Sequence, residues 1–246
     1  MMQMTPVVKQ LLILNIIMFV GCGLIQNADS WFALYYVENP AFKIWQVVTH
    51  MFMHGSVMHI AFNMFALYSF GGYLEHFWGA RRFTFFYLSC GLGAALVHTL
   101  ANGYFFHEGL DLLLQNGFAK KDIIELLSNG EYDKRWTDVL GKDGFDRFAG
   151  AFVSPAVGAS GAIYGLLAAF ALMFPNAELF IMFIPIPVKA KYVVPGLIAL
   201  DVLGGVSKYS VMGSNIAHFA HIGGAIFGVI IMWAWRNSKY NHRRWN

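Results

Sequence analysis

Gly158-Ala159-Ser160-Gly161-Ala162-Ile163-Tyr164-Gly165 runs straight into the apolar stretch Leu166 to Phe174. The reading of this stretch decides the fold. A run of that composition is a helix for a low-dielectric environment, and it opens on a single hydroxyl flanked by glycines. An unpaired polar group in hydrocarbon costs several kcal/mol, so Ser160 is either packing glue between helices or a reactive group with a partner. The remainder of the chain has to decide between the two.

The chain of 246 residues is 57% hydrophobic and only 13% charged, with a mean hydropathy of +0.52. Soluble domains carry about 25% charge, so the composition predicts an all-α integral membrane protein. No basic patch of the kind that binds nucleic acid is present. Cys22 and Cys90 both fall inside apolar runs, where a thiol behaves as a small buried hydrophobe. Neither is read as half of a disulfide.

Six spans are expected, at roughly Val7 to Gln26, Ser56 to Tyr73, Phe83 to Phe105, Ser160 to Phe174, Tyr192 to Val206 and Asn215 to Trp235. The first is read as a retained span and not as a cleaved signal, although Gly21-Cys22 faintly resembles a lipoprotein site; Lys9 is the only basic residue before it. Trp31, Phe32, Tyr35 and Tyr36 then supply amphipathic rings suited to headgroup level. Trp45 to Gly55 is read as interfacial. Pro175, Pro185, Pro187 and Pro195 punctuate the link between spans four and five.

The segment from Phe106 to Ser154 breaks the apolar pattern with six basic and nine acidic residues. It is expected to be a large outer loop insertion of residues 106–154 between spans three and four, built from short amphipathic helices. The whole chain, 1–246, is read as one membrane domain, with 106–154 as its accessory extramembrane subdomain. Arg81, Arg82, Lys189, Lys191, Arg236, Lys239, Arg243 and Arg244 cluster on one side of a six-span topology. The positive-inside rule then places both termini in the cytoplasm, with a bacterial inner membrane as the expected location.

Alternating spans put the first turns of two, four and six at one depth, and the unusual polar residues lie there. His59 and Asn63 are four apart and share a helix face; Ser160 opens span four; His218 and His221 stand near the start of span six. Singly, each has a bland reading as an interhelical hydrogen bond or an interfacial residue. Together they are a parts list for acyl transfer: nucleophile, general base and oxyanion donors. A serine hydroxyl is a poor nucleophile until a base takes its proton, and an imidazole of reference pKa about 6.5 does so at neutral pH.

These motifs also resemble a known family, the rhomboid intramembrane serine proteases. The likeness rests on Gly158-Ala159-Ser160-Gly161 with Tyr164, on His59-Ile60-Ala61-Phe62-Asn63, and on Ala220-His221-Ile222-Gly223-Gly224 with Gly228, and Trp45 and Glu75 also match. The resemblance implies a six-helix rhomboid-like bundle, with Ser160 as nucleophile and His221 as its base in a Ser-His dyad. His59, Asn63, Ser160 and Gly158 would form the oxyanion hole, and Tyr164 would pack on the imidazole. It implies transmembrane helices as substrates, cut near the outer face, with no cofactor and no metal. Two features depart from the family: Gln46 stands where many members carry arginine, and the segment after span three is long.

Three rival readings fit the residues less well. A catalytically silent relative that escorts membrane helices conflicts with the joint presence of Ser160 and His221. A di-iron site over His50, His54, His218 and His221 lacks doubled histidine boxes and carboxylates within reach. Zinc protease chemistry lacks a His-Glu-x-x-His. Asp201, the one carboxylate inside a span, has no place in the family motif and is read as a hydrogen-bonded structural group.

Overall fold

Small side chains at Gly161, Ala162, Gly165, Ala168 and Ala169 let neighbours approach the segment after Ser160 from every side, and the helix they form is the buried centre of the molecule. The computed structural model describes residues 4–180, 187–206 and 216–236. Pro185, Asn215, Lys239, Arg243 and Arg244, which figure in the sequence reading, lie outside these. In chain order the helices are α1 (Pro6–Leu24), α2 (Ala28–Phe32), α3 (Gln46–Thr49), α4 (Val57–Ala66), α5 (Gly72–Trp78), α6 (Ala80–Gln115), α7 (Lys120–Ser128), α8 (Arg135–Val153), α9 (Ser160–Met173), α10 (Ala190–Val206) and α11 (Ile216–Ala234). A π-helical stretch, Leu67–Gly71, joins α4 to α5. The hairpin Glu178–Phe180 with Pro187–Lys189 joins α9 to α10.

The fold is predominantly helical, and each of the six apolar segments contains helix. Among the described residues α1 and α6 are long and apolar enough to cross a membrane by themselves, while α9 and His218–Ala234 are shorter apolar helices. Pro195 lies inside α10 and not in the link before it. It stands near the helix start, where one intrahelical bond is forgone.

α9 packs against α6, α10, α11 and the π-helical stretch, and α11 packs most closely on α6 and α9. Lipid tails are as apolar as leucine, so burial alone does not draw these helices together; close backbone approach does. A Cβ at Gly224 would stand 1.8 Å from the Gly161 carbonyl oxygen, and one at Gly228 2.8 Å from Gly165 Cα. The Gly224/Gly228 face of α11 therefore lies directly on the Gly161/Gly165 face of α9. That contact sets the distance between Ser160 and the first turns of α11.

The N-terminus of α1 is fixed from a distance. Both carboxylate oxygens of buried Glu75 accept hydrogen bonds, from Val7 N and Val8 N at 2.9 Å each. These are orphan donors of a first helical turn, where negative charge is favoured.

The long polar segment differs from its expectation. α6 continues without a break through residue 106 to Gln115, so the third apolar helix and the start of the supposed insertion are one rod. α8 folds back along it, with a kink at Gly141, whose φ is +68°. Phe106, Leu110, Leu113, Ile123, Leu127, Trp136, Phe148 and Phe152 form a second core, and Tyr36 of the first loop joins it. Phe106 stacks on Phe148 and Phe152 at 5.3 and 5.0 Å, pairs each worth about 0.5–1.5 kcal/mol beyond their area.

This second core is clasped to the first loop. Asn39 Nδ2 donates to Phe152 O at 2.7 Å. Glu38 holds His107 Nε2 at 2.6 Å and Lys120 Nζ at 3.7 Å. Burial opposes the Glu38 charge, yet hydrogen bonds from His107 and Tyr36 and the cations nearby keep its carboxyl below the usual range. Gln46 is fully buried: its amide donates to Ser30 O and Ala41 O, and its oxygen accepts from Lys43 N. One neutral side chain thus ties three points of the loop.

Candidate active site

Two backbone links hold the turn before Ser160. Leu34 and Ala156 exchange hydrogen bonds at 2.9 and 2.8 Å, and Gly158 N donates to His50 O at 2.9 Å. Gly158 has φ +127°, a region open to glycine and strained for other residues. A Cβ there would also lie 2.8 Å from His59 Nε2 and 3.4 Å from Ser160 Oγ. Glycine at this position lets the His59 ring and the serine hydroxyl share one space. The Gly158 N–H is engaged with His50 O.

Ser160 is the first residue of α9. Its Oγ lies 2.9 Å from His221 Nε2, across 61 positions of sequence. The other ring nitrogen, Nδ1, lies 3.1 Å from Asp201 Oδ1 on α10. His218 Nδ1 meets the same carboxylate oxygen at 2.5 Å. Asp201 is buried, with 6% of its surface exposed.

An ionised carboxylate only accepts. With Asp201 ionised, His221 donates from Nδ1 and presents a bare Nε2 to the Ser160 hydroxyl. The Tyr164 ring lies flat on the His221 ring, with centroids 4.3 Å apart and planes 7° apart. Tyr164 stands four residues after Ser160, on the same face of α9, so one helix positions both the Ser160 hydroxyl and the ring that backs its histidine partner.

His59 and Asn63 occupy one face of α4, whose start is capped by Ser56 Oγ accepting from His59 N at 3.1 Å. His59 also meets His54 edge to face at 5.1 Å. Asn63 is buried, and its Nδ2 has no hydrogen-bond partner among the described residues. A cavity of about 20 Å³ behind Ser160, bounded by His50, Gly91, Ala94 and Gly158, has room for one water. A cavity of about 730 Å³ at the other end of α9, among Phe70, Tyr73, Phe77, Phe170 and Phe174, contains none of these residues.

The rhomboid domain model matches residues 41–113 and 136–238, a span that contains all three motifs and leaves 114–135 between the matched parts. The chain belongs to the rhomboid family. It is an integral membrane protein of mostly helical structure. It is 26% identical over 198 residues to the mouse (Mus musculus) presenilin-associated rhomboid-like protein, mitochondrial, covering 79% of this chain and 40% of that protein. The Danio rerio presenilin-associated rhomboid-like protein A, mitochondrial, is 28% identical over 211 residues, 85% of this chain and 42% of its own length. Rhomboid protein 1, mitochondrial, of Saccharomyces cerevisiae is 24% identical over 187 residues, 76% of this chain and 40% of its length. The chain spans about two fifths of the length of these curated relatives.

Within this rhomboid chain, Asp201 is a hydrogen-bonded group as the sequence suggests, but its partners are the two histidines of the site. No carboxylate adjoins either histidine in sequence, which favoured a dyad. The signal available was an acid in the fifth apolar segment together with two histidines three apart in the sixth. Only the packing of α10 on α11 turns that into a shared hydrogen-bonded oxygen.

Proposed function

We propose that this chain is an intramembrane serine endopeptidase that cuts transmembrane helices near the outer membrane face, with Ser160 as nucleophile and His221 as general base. The observation that carries the reading is the 2.9 Å approach of Ser160 Oγ to His221 Nε2, with the imidazole held on its far side by a carboxylate. Ser160 Oγ attacks the scissile carbonyl as its proton passes to Nε2. The Asp201 carboxylate steadies the imidazolium that forms, and His221 then protonates the leaving amine. Water, activated by the same imidazole, releases the acyl group.

The developing oxyanion is received by the Ser160 amide with Asn63 Nδ2 and His59 on α4. The unpartnered state of the buried Asn63 amide among the described residues supports this, since an orphaned buried donor costs about 1–3 kcal/mol unless a ligand takes it. Loss of one such donor costs about 10²–10³ in turnover. Asn63→Ala is therefore expected to be slow but measurable on a transmembrane substrate, and native turnover would remove Asn63 from the mechanism.

A substrate helix has its amides bonded internally, so it has to unwind at the cut. Segments carrying Gly, Pro or other weak helix formers suit this, with a small residue before the scissile bond. The reading includes six crossings with both termini on the cytoplasmic side of a bacterial inner membrane, from the positions of Arg81, Arg82, Lys189, Lys191 and Arg236. The mitochondrial location in the relatives' names is theirs.

The test is labelling with a fluorophosphonate in detergent. The native chain is expected to be labelled and Ser160→Ala to be silent. An unlabelled but folded native chain would favour the alternative, a rhomboid that binds membrane helices without cutting them.

A further inference from the structure

Asp201 and Gly204 stand three apart on α10, and His218 and His221 three apart on α11. Residues three apart share a helix face, so two faces meet with three ligating side chains between them. One ligand atom from each of Asp201, His218 and His221 lies within 4.8 Å of the other two, and both histidines turn Nδ1 to the same Asp201 Oδ1. The His218 ring fills a space that only glycine leaves, since a Cβ at Gly204 would stand 2.7 Å from its Nε2. The proposed chemistry needs one histidine on Asp201, and His218 is a second.

We propose that Asp201, His218 and His221 bind a divalent metal ion of the Zn²⁺ class, and that its binding switches off Ser160. Two imidazoles and one carboxylate, with a fourth position left to water, are a common donor set for Zn²⁺. Bond lengths of about 2.0–2.2 Å to N and O place tetrahedral ligands about 3.3 Å apart. The 3.1 Å between His221 Nδ1 and Asp201 Oδ1 fits that spacing. The 2.5 Å at His218 requires an opening of less than about 1 Å. The histidine side chains are 20% and 22% exposed, which gives an ion a way in.

The expected inhibition follows from the tautomer and rests on the functional reading above; the binding does not. A metal on Nδ1 takes the lone pair that a donated proton would otherwise occupy. The one proton of a neutral imidazole then sits on Nε2. For His221 that nitrogen faces Ser160 Oγ, and an N–H there donates where a base must accept. Each histidine moves its proton from Nδ1 to Nε2 by exchange with water, Asp201 stays ionised, and no proton is gained or lost. The ion leaves Ser160 in place and removes its base.

The experiment separates the two parts. Co²⁺, whose visible bands report tetrahedral ligation, and Zn²⁺ are titrated into the full-length Ser160→Ala chain in detergent. One ion per chain with tetrahedral bands is expected. Loss of a supporting group at a metal site weakens binding about 10- to 100-fold, so His218→Ala, which removes a ligand outright, should weaken it at least that much. His107→Ala, at the distant Glu38 pair, should not. His218→Gln serves if His218→Ala loses its monodisperse peak.

With the native chain, Zn²⁺ should slow fluorophosphonate labelling, a chelator should restore it, and His218→Ala should need correspondingly more ion. Binding unaffected by both His218 variants, or no tetrahedral Co²⁺ bands, overturns the site. Full labelling with the site saturated overturns the switch. A native chain never labelled, yet binding metal through His218, would keep the site and overturn the protease reading.

Discussion

Asp201→Asn should lower turnover of a transmembrane substrate by up to about 10⁴-fold, the loss produced when the acid of a serine-protease triad becomes an amide and the histidine takes the wrong tautomer. The geometry gives the reason. His221 reaches Ser160 through Nε2 and Asp201 through Nδ1. An amide at 201 can turn its NH₂ toward Nδ1, which moves the histidine proton to Nε2 and removes the base. The flat contact with Tyr164 still holds the ring plane, so the loss should fall on kcat with KM little changed. Asp201→Glu should recover part of the rate and Asp201→Ala none. A structural role alone would lower the unfolding temperature of all three variants together and leave surviving molecules with normal kcat. Native kcat in Asp201→Asn would return the site to the serine-histidine dyad that the sequence suggests.

Gly224→Val should leave no folded protein in detergent, as read by size exclusion and thermal unfolding. Its Cβ would stand 1.8 Å from the Gly161 carbonyl oxygen, and the obstacle is backbone, which has no rotamer to give. Separating α11 from α9 far enough to admit the side chain would break the neighbouring contact of Gly228 with Gly165 and pull His221 away from Ser160. Overpacking usually costs about 1–3 kcal/mol, but here two backbones must part, which belongs with the exceptional losses above about 4–5 kcal/mol. Gly72→Ala is the control: nothing lies within 4 Å of a Cβ there, and alanine in a helix is favoured over glycine by about 0.8–1.0 kcal/mol. Equal stability of Gly224→Val and Gly72→Ala would mean that α9 and α11 do not meet through these glycines.

Much of the architecture was legible because a membrane chain writes its helices in composition. The apolar segment from Ser160 ends within one residue of α9, and the one from Tyr192 lies within α10. Spacing brought out Ser160, His221, His59 and Asn63, since polar residues are costly in hydrocarbon and so stand out one by one. Composition misled at residue 106, where the chain turns polar while its helix does not stop. α6 runs on to Gln115 because its later turns bury Phe106, Leu110 and Leu113 against α8, and hydropathy cannot tell an apolar face toward another helix from the end of a span.

By itself, the sequence determined a helical membrane protein with one serine at the mouth of an apolar helix and two further polar motifs, because hydropathy and helical spacing are local properties of the chain. The tertiary structure decided which histidine nitrogen faces Ser160, that Asp201 is shared by His218 and His221, and that the Gly158 amide is already bonded to His50. It also decided that Gln46 ties the first loop together. Each of these is a contact between residues distant in sequence, or between groups whose direction depends on how two helices rotate about their axes. A shift of one residue in the register of α10 on α11 would turn Asp201 by about 100°, and nothing in the order of residues along either helix fixes that rotation.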